Sequence, residues 1–361
     1  MRIVVYEAKK VFSMPALWSF FLLSFALNIL FIIGKDYERE YFNMQSAFRA
    51  DENDNVFAGY DTKLLAAFYA NVVKESPVAV DWVNKKYTLL QPRAEHLAEC
   101  GAALDFYAGD ATYESHQFLF GSLMRAMLVE SSVCAMFVML YLMGYEQMNC
   151  TDAQVCACRI GRWLWVQKMI AAILSAVFLY FLLTGITLIF YLELWNYSGV
   201  WNESVSSRFN YFTDLLYIRL FLTWHDFTVG GYLAAVLLLG AVLVIVFGLM
   251  SAVCAMVFRN VYGAALVLAV ILFGGMGLES LFSQCKAWVL YFIATMQPAA
   301  VLFSVNVWFT EAGISTFLPW QETISAALNL MGCSIAVIIS WRRFRRREMW
   351  QIWNKSVSAG G

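Results

Sequence analysis

Residues 232–258 read YLAAVLLLGAVLVIVFGLMSAVCAMVF and residues 263–282 read GAALVLAVILFGGMGLESLF, with four residues between the two stretches. A helix that crosses a bilayer needs about 20 mostly apolar residues, and each stretch supplies them. Arg259 lies in the short connection, and short cytoplasmic loops are rich in Lys and Arg. The two stretches therefore predict a pair of antiparallel transmembrane helices joined by a tight cytoplasmic turn.

The composition of the whole chain agrees with a bilayer environment. Of its 361 residues, 61% are hydrophobic and only 14% are charged, whereas soluble proteins average about 25% charged residues. Four more apolar runs are long enough to span a membrane, namely Pro15–Ile33, a run within Phe118–Gly144, Met169–Leu192 and Thr323–Trp341. We therefore predict an all-α polytopic membrane protein with about six transmembrane helices.

One further stretch, Lys286–Phe309, is apolar but is interrupted near its middle by Gln297–Pro298. It fits either a seventh span or a broken, re-entrant helix pair that returns to the side from which it entered. Basic residues cluster near both termini, at Lys9–Lys10 and at five arginines within residues 342–347. Both termini are therefore expected in the cytoplasm. That arrangement requires an even number of crossings, so we prefer the re-entrant pair.

The spans divide the chain into three predicted parts. Residues 1–34 hold an interfacial helix and the first span. Residues 35–117 are mixed or acidic in character and form a small, mostly helical external domain. Residues 118–361 hold the remaining spans and a basic C-terminal tail.

Local patterns refine the first two parts. Val4, Ala8 and Val11 repeat at helical spacing between polar residues, which predicts an amphipathic helix at the inner membrane surface. In the external domain, Pro77 and Pro92 are expected to break the helical structure into pieces.

The connection between the second and third spans, Gly144–Lys168, reads GYEQMNCTDAQVCACRIGRWLWVQK. Thr151 followed by Gln154 has the spacing of a capping box, and Asp152 is favourable near a helix N-terminus. Gly161 can end the same helix. The loop therefore predicts a short cytoplasmic helix that lies across the gap between the two spans.

With this loop and this arrangement of spans, the chain resembles the permeases of the ABC type-2 transporter family. The family pattern has a Glu at the cytoplasmic end of span two, a small polar or Thr position, a basic residue before span three and then a Lys. Five residues match it in order, namely Glu146, Thr151, Arg159, Arg162 and Lys168. The likeness covers almost the whole chain, from the amphipathic N-terminal helix to the broken helices between spans five and six. The Cys-rich loop departs from the pattern.

The resemblance implies a transport subunit of an exporter rather than an enzyme. Loop 146–168 would be the coupling helix that docks on a separate ATPase, through Glu146, Thr151, Asp152, Arg159 and Arg162. The implied partners are two copies of an ABC ATPase, which would bind ATP and Mg, and a second permease chain, identical or homologous. No cofactor is expected in this chain. The implied cargo is amphipathic, such as a peptide antibiotic, a lipid or a drug, and the implied location is a bacterial inner membrane.

Charged side chains inside the predicted spans are further candidates, because burying one costs at least about 2.5 kcal/mol. Arg125 and Glu130 open the second span, and Glu279 closes the fifth. Arg125 is expected to reach the interface, whereas Glu130 lies more than a turn deeper. We therefore retain Glu130, Arg125 and Glu279 as candidate cavity or pairing residues, with Glu130 preferred.

Several function classes lack their starting residues. The sequence contains no G-x-x-x-x-G-K-[ST], G-x-S-x-G or H-E-x-x-H motif. Three Cys residues lie within residues 150–158, but a fourth zinc ligand is missing, so no metal site is expected. No nucleic-acid footprint is present, and membrane lipid is the expected surrounding.

Two alternatives stay open: a membrane anchor or sensor whose external domain binds an envelope partner without transport, and a membrane enzyme that acts on lipid.

Overall fold

The computed structural model describes residues 2–46, 55, 57–101, 107–108, 111–112, 116–151, 154–155, 161–195, 197, 199, 201–208, 211–213, 217–219, 221–258 and 260–346. In chain order the helices are α1 (Arg2–Phe12), α2 (Pro15–Ser46), α3 (Thr62–Val72), α4 (Pro77–Glu99), α5 (Met124–Met148), α6 (Leu164–Leu194), α7 (Val205–Arg208), α8 (Val229–Val257), α9 (Val261–Gln284), α10 (Trp288–Thr295), α11 (Pro298–Phe303) and α12 (Gln321–Arg346). The strands are β1 (Tyr107–Ala108), β2 (Ala111–Thr112), β3 (Tyr211–Thr213) and β4 (Tyr217–Arg219). A π-helical turn, Phe118–Leu123, leads directly into α5.

Six helices of the described chain are long and apolar enough to cross a membrane: α2, α5, α6, α8, α9 and α12. They coincide with the six predicted runs, so the prediction of six membrane-spanning helices is confirmed. The all-α prediction is confirmed. The described residues add two short antiparallel hairpins to the helices, in which β1 pairs with β2 and β3 pairs with β4. The β3–β4 hairpin is rich in aromatic and β-branched residues, which favour strands.

The bundle is organised around α8, which packs against α5, α6 and α12. Its sequence is apolar on all sides, as expected for a helix surrounded by neighbours. Helix α9 is covered much less, and the side chains of Phe273 and Leu266 are 74% and 67% exposed. Hydrocarbon solvates such side chains as well as a protein core does, so an uncovered face of α9 is stable in a bilayer.

One end of the bundle, which we name the basal end, gathers residues 2–14, 146–151, 161–168, 257–258, 260–261 and 341–346. Helix α1 packs there against α6 and α5, so its apolar face meets the bundle. The rings of Trp163 and Trp341 lie 5.3 Å apart, and those of Trp165 and Phe344 lie 4.7 Å apart. The first helix, the loop between α5 and α6, and the last turn of α12 therefore meet at the same end.

The opposite, apical end carries α3 and α4, which pack against each other. Helix α4 starts at Pro77, where the Ser76 hydroxyl caps it, and continues through Pro92 to Glu99. The prediction that Pro92 breaks the helix is therefore wrong. Pro92 lies on the exposed side, where water can bind the carbonyl that loses its N–H partner.

The apical helices do not have a core of their own. Val83, Tyr87 and Leu90 of α4 belong to one apolar cluster with Leu222, Trp288, Tyr291 and Phe317 from the rest of the chain. An ion pair adds to this contact, since Lys286 Nζ lies 2.6 Å from Glu75 Oε1. The apical helices are therefore docked on the connections between the spans.

Helices α10 and α11 are separated by a break at Met296–Gln297, where Gln297 and Pro298 interrupt the apolar run. The carbonyl of Met296 accepts hydrogen bonds from the Asn329 amide, at 2.7 Å, and from the Ser325 hydroxyl. A free carbonyl inside an apolar bundle would be costly. Helix α12 therefore stabilises the break through two polar side chains one turn apart.

Candidate functional site

The basal end holds a buried cluster of four charged side chains, which we name the basal ion cluster: Glu7, Lys10, Glu146 and Lys168. Lys168 forms an ion pair with Glu146 and donates a hydrogen bond to the carbonyl of Leu142 at 2.8 Å. Lys10 Nζ lies 2.8 Å from Glu7 Oε1 and 3.6 Å from Glu146 Oε1. The cluster contains two acids and two bases, so each buried charge has a partner of opposite sign.

The ends of α5 and α6 and the spacing of charges on α1 bring these four residues together. Glu146 lies in the last turn of α5 and Lys168 in the second turn of α6, so the helices extend beyond the predicted span ends and shorten the loop. Glu7 and Lys10 are three residues apart on α1 and share one face. The Tyr145 ring covers the cluster, with Lys10 Nζ 4.5 Å from its centroid. Three helices therefore meet at these four charges.

This geometry corrects the expected role of Glu146. The resemblance implies that Glu146 contacts an ATPase, but the residue is only 5% exposed. Its carboxylate is used inside the chain, by Lys168 and Lys10. Glu146 is therefore a structural residue of the bundle in this structure, and its carboxylate is not presented at the surface.

The remaining candidates of the loop are only partly described. The Thr151 N–H donates to the Glu146 carbonyl at 2.9 Å, and the Thr151 carbonyl accepts from Val155 at 3.1 Å, so a helical turn starts there. Gly161 has a positive φ of 48°, which fits a glycine at the end of a helix. Asp152 and Arg159 lie outside the described residues, as does the side chain of Arg162.

Two of the candidate charges within the spans have polar partners. The Asn28 amide of α2 donates to Glu130 Oε2 of α5 at 2.8 Å. Arg125 donates through Nη2 to the Asn306 side-chain oxygen at 3.0 Å. Asn28 is fully buried, so the Asn28–Glu130 contact links the first two spans within the apolar region.

The third candidate, Glu279, lies at an apical cavity of about 210 Å³. The polar groups that line this apical cavity are Glu279, Thr295, Ser304, Ser315, Thr316, Gln321 and Glu322. Glu322 is only 5% exposed, and its Oε1 atom has no hydrogen-bond partner among the described residues. None of the described lining residues is Lys, Arg or His. As far as the described residues go, the cavity is therefore an acidic pocket with no basic residue in its wall.

Hydrogen bonds fix the shape of this cavity. The Gln321 amide donates to the Thr295 hydroxyl at 2.9 Å, and its oxygen accepts from the Phe317 N–H at 2.7 Å. These bonds join α10 to the start of α12. A pocket whose walls are already bonded needs little rearrangement when it binds a ligand.

The loop above the cavity is held by Lys86 of α4. Its ammonium group is fully buried and donates to the carbonyls of Glu311, Gly313 and Thr316 at 2.6, 2.6 and 3.0 Å. The Tyr87 hydroxyl donates to Glu311 Oε2 at 2.6 Å. We name this set of contacts the Lys86 clamp. Because Thr316 lines the apical cavity, the clamp connects the apical helix α4 to the cavity wall.

Burial decides the ionisation of the clamp. It lowers the pKa of Lys86 to about 8, because the loss of water around the ammonium group outweighs the attraction of Glu311. Burial, followed by the charge of Glu311, raises the pKa of the Tyr87 hydroxyl. Lys86 is therefore charged at neutral pH and loses its proton at mildly alkaline pH.

Sequence reasoning missed Lys86, Asn28 and Glu322. Lys85 and Lys86 are neighbours and look alike in the sequence, yet the Lys85 side chain is 70% exposed and that of Lys86 is fully buried. Only Glu322 carried a usable signal, since it directly precedes the last apolar run and is the one acid in the first turn of α12.

Six spanning helices, with buried charged groups at both ends of the bundle, define a polytopic membrane protein. Among the described residues, no three His, Cys, Asp or Glu side chains gather in a group that could hold a metal ion. Comparisons with protein-family models, with curated proteins and with solved structures found no match. What the chain does therefore has to follow from its own residues at the two ends.

Proposed function

We propose that this chain is the permease subunit of an ATP-driven ABC exporter of amphipathic cargo. In this proposal two ATPase chains hydrolyse ATP with Mg, two permease chains form the path, and this chain binds no cofactor of its own. The proposal is supported by the six spanning helices, by the resemblance of loop 146–168, and by one observation at the basal end.

That observation is the basal ion cluster at the base of the loop. Glu146 precedes the loop and Lys168 follows it, and Lys10 of α1 joins their ion pair. Removing one partner of a buried pair leaves an uncompensated charge, so α1, α5 and α6 are held together at this point. A force on the loop would therefore reach three helices at once. A loop that only connected two spans would have no need of such fixed ends.

The same proposal places the basal end in the cytoplasm of a bacterial cell and the apical helices outside. Helices α10 and α11 then form a re-entrant pair, because they enter and leave the membrane on the apical side. The polar break at Met296–Gln297 supports this arrangement, since non-helical backbone at membrane depth must be satisfied by protein groups.

Cysteine labelling tests this orientation. Cys100 and Cys150 are both exposed, at the end of α4 and just after α5. We expect a membrane-impermeant maleimide to label intact cells that express a variant retaining only Cys100. A variant retaining only Cys150 should react only after the membrane is opened. Labelling of Cys150 in intact cells would overturn the proposed orientation, and Cys285, also exposed, provides a second apical control.

The function itself is tested at the loop. We expect the wild-type chain to copurify with an ATPase that carries a Walker motif. The double variant Arg159→Glu/Arg162→Glu should be expressed and inserted normally, but should lose most of the associated ATPase, because it reverses the charge of the proposed docking surface.

A matched control is Arg2→Glu/Lys9→Glu, which makes the same change in charge at two exposed positions of α1. This control should retain its ATPase. If the loop variant also binds its ATPase and transports normally, the loop is only a connector. If no ATPase copurifies with the wild-type chain, the exporter proposal fails.

One observation favours a second candidate function, an anchor or sensor that binds an envelope partner. Leu64, Phe68 and Val72 repeat every four residues along α3, and Leu64 and Phe68 are 75% and 63% exposed. The opposite face of α3 packs on α4, so this apolar stripe points away from the chain. Copurification separates the two functions, because a sensor would bring down an envelope protein and no ATPase.

A further inference from the structure

An apolar groove lies next to the polar apical cavity. This groove of about 460 Å³ runs between α5 and α9, and its lining includes Val133, Met136, Leu272 and Met276. Almost all of its wall is hydrocarbon or thioether, and methionine side chains adapt readily to irregular apolar shapes. The groove therefore suits a flexible apolar chain.

The groove and the apical cavity meet at one residue. Phe303, the last residue of α11, lines both of them. Thr295, Ser304 and Glu322 lie on the cavity side, and Leu272 and Met276 lie on the groove side. A single molecule that passed Phe303 would therefore place one end among carboxylates and the other among apolar side chains.

The charge of the cavity indicates which polar group a bound amphipathic molecule would carry. Glu322 is almost completely buried, and one of its oxygens has no hydrogen-bond partner among the described residues. A buried carboxylate is costly without a compensating cation or proton. Glu279 adds a second acid, and Trp308 adds an aromatic ring to the same wall. Carboxylates beside aromatic rings are a typical environment for organic ammonium groups.

We propose that the cargo of this chain is an amphipathic organic cation, whose ammonium group binds in the apical cavity and whose apolar tail lies in the groove between α5 and α9. The inference rests on the proposed function and narrows its cargo class. Bilayer acyl chains and a second copy of this chain are the competing occupants of the groove. A lipid whose headgroup holds an ammonium also carries a phosphate, and the carboxylates of the cavity repel that negative charge.

Binding to the purified full-length chain in lipid nanodiscs tests this proposal without any ATPase. The probe is tritiated dodecyltrimethylammonium, with empty nanodiscs as the measure of partitioning into lipid. We expect saturable binding by the wild-type chain. Glu322→Gln and Glu279→Gln should each weaken it by at least about tenfold, because each removes a carboxylate that would pair with the bound ammonium group.

Three controls sharpen the result. Glu193→Gln removes an exposed apical carboxylate that does not line the cavity, and it should bind as the wild type does. Leu272→Trp fills part of the groove, and it should weaken the dodecyl probe while leaving weak competition by tetramethylammonium unchanged. Dodecyl maltoside, which has the same tail and a neutral head, should displace the probe poorly.

Wild-type affinity in both Glu279→Gln and Glu322→Gln would overturn the proposal, as would equal displacement by dodecyl maltoside. If Glu322→Gln fails to fold, the affinity of Glu279→Gln for the probe tests the role of charge by itself, because Glu279 is partly exposed. The two proposals also fail separately. Saturable cation binding without a copurifying ATPase would reject the exporter and keep the site, whereas an ATPase complex without cation selectivity would keep the exporter and reject this cargo.

Discussion

Replacing Lys168 by Met is expected to lower the free energy of unfolding by about 3–5 kcal/mol, the range found when one partner of a buried ion pair is removed. The substitution keeps the length of the side chain and removes the charge. Glu146 would then remain buried with only Lys10 at 3.6 Å, and the Leu142 carbonyl would lose its donor. Titration with SDS in mixed micelles measures the change.

Two comparisons show whether the loss is due to the unpaired charge. The double variant Glu146→Gln/Lys168→Met removes both charges and should be more stable than Lys168→Met alone. Lys9→Met removes an exposed charge of α1 at the same end of the bundle and should cost less than about 1 kcal/mol. Equal costs for Lys168→Met and Lys9→Met would show that the basal ion cluster contributes nothing to stability.

A second large effect is expected at the Lys86 clamp. Lys86→Met removes the donor to three carbonyl groups and the charge that faces Glu311. The expected cost is about 2–5 kcal/mol at neutral pH, because partly buried acceptors and a carboxylate lose their partner together. The neighbouring variant Lys85→Met removes an exposed Lys of the same helix and should be close to the wild type. Equal stability of the two variants would contradict the clamp.

The same clamp predicts a dependence on pH. Lys86 in the folded chain has a pKa of about 8, whereas a Lys in the unfolded chain keeps its ordinary value of about 10.4. Between these two values the unfolded chain holds more protons, so stability rises with pH, by up to about 1.4 kcal/mol per unit. In Lys86→Met this contribution to the pH dependence should be absent.

The ionisation of Tyr60 and Tyr87 limits the pH range in which this effect can be measured. Burial raises the pKa of Tyr60 and Tyr87 in the folded chain, so above about pH 10 the unfolded chain ionises them first and stability falls. The difference in stability between the wild type and Lys86→Met at about pH 7, 8.5 and 9.5 therefore isolates Lys86, because every other titrating group is common to the two chains. A wild-type chain that gains no stability over Lys86→Met in this range would show that Lys86 titrates normally.

The spans were predictable because hydropathy depends on local composition alone. Each apolar run of about 20 residues was expected to be a helix, since a single lipid-exposed segment can satisfy its backbone polar groups within itself only as a helix. The break at Gln297–Pro298 was visible for the same reason. The continuous helix through Pro92 was not, because it depends on which side of α4 faces water, and that is decided by contacts with Trp288 and Phe317 far along the chain.

The sites were predictable only where a charge stood out from its surroundings. Glu130, Glu279 and the loop between α5 and α6 became candidates because polar residues are rare in or next to apolar runs. Lys86 was not found, because its partners lie more than 220 positions away, at Glu311 and Gly313. The burial of Glu146 was missed for a related reason, since a residue at a span end looks exposed until α1 and α6 cover it.

The basal ion cluster also sets an order of events during synthesis. Glu7 and Lys10 are made first, and roughly 160 residues separate Glu7 from Lys168, which takes about 10–30 s at typical rates of translation. During that interval α1 lacks Lys168, and for most of it α1 lacks Glu146 as well, so α1 must wait beside the first inserted span. A bulky N-terminal fusion would therefore interfere with the closing of the cluster after the third span has been inserted, while a C-terminal fusion would leave this step free.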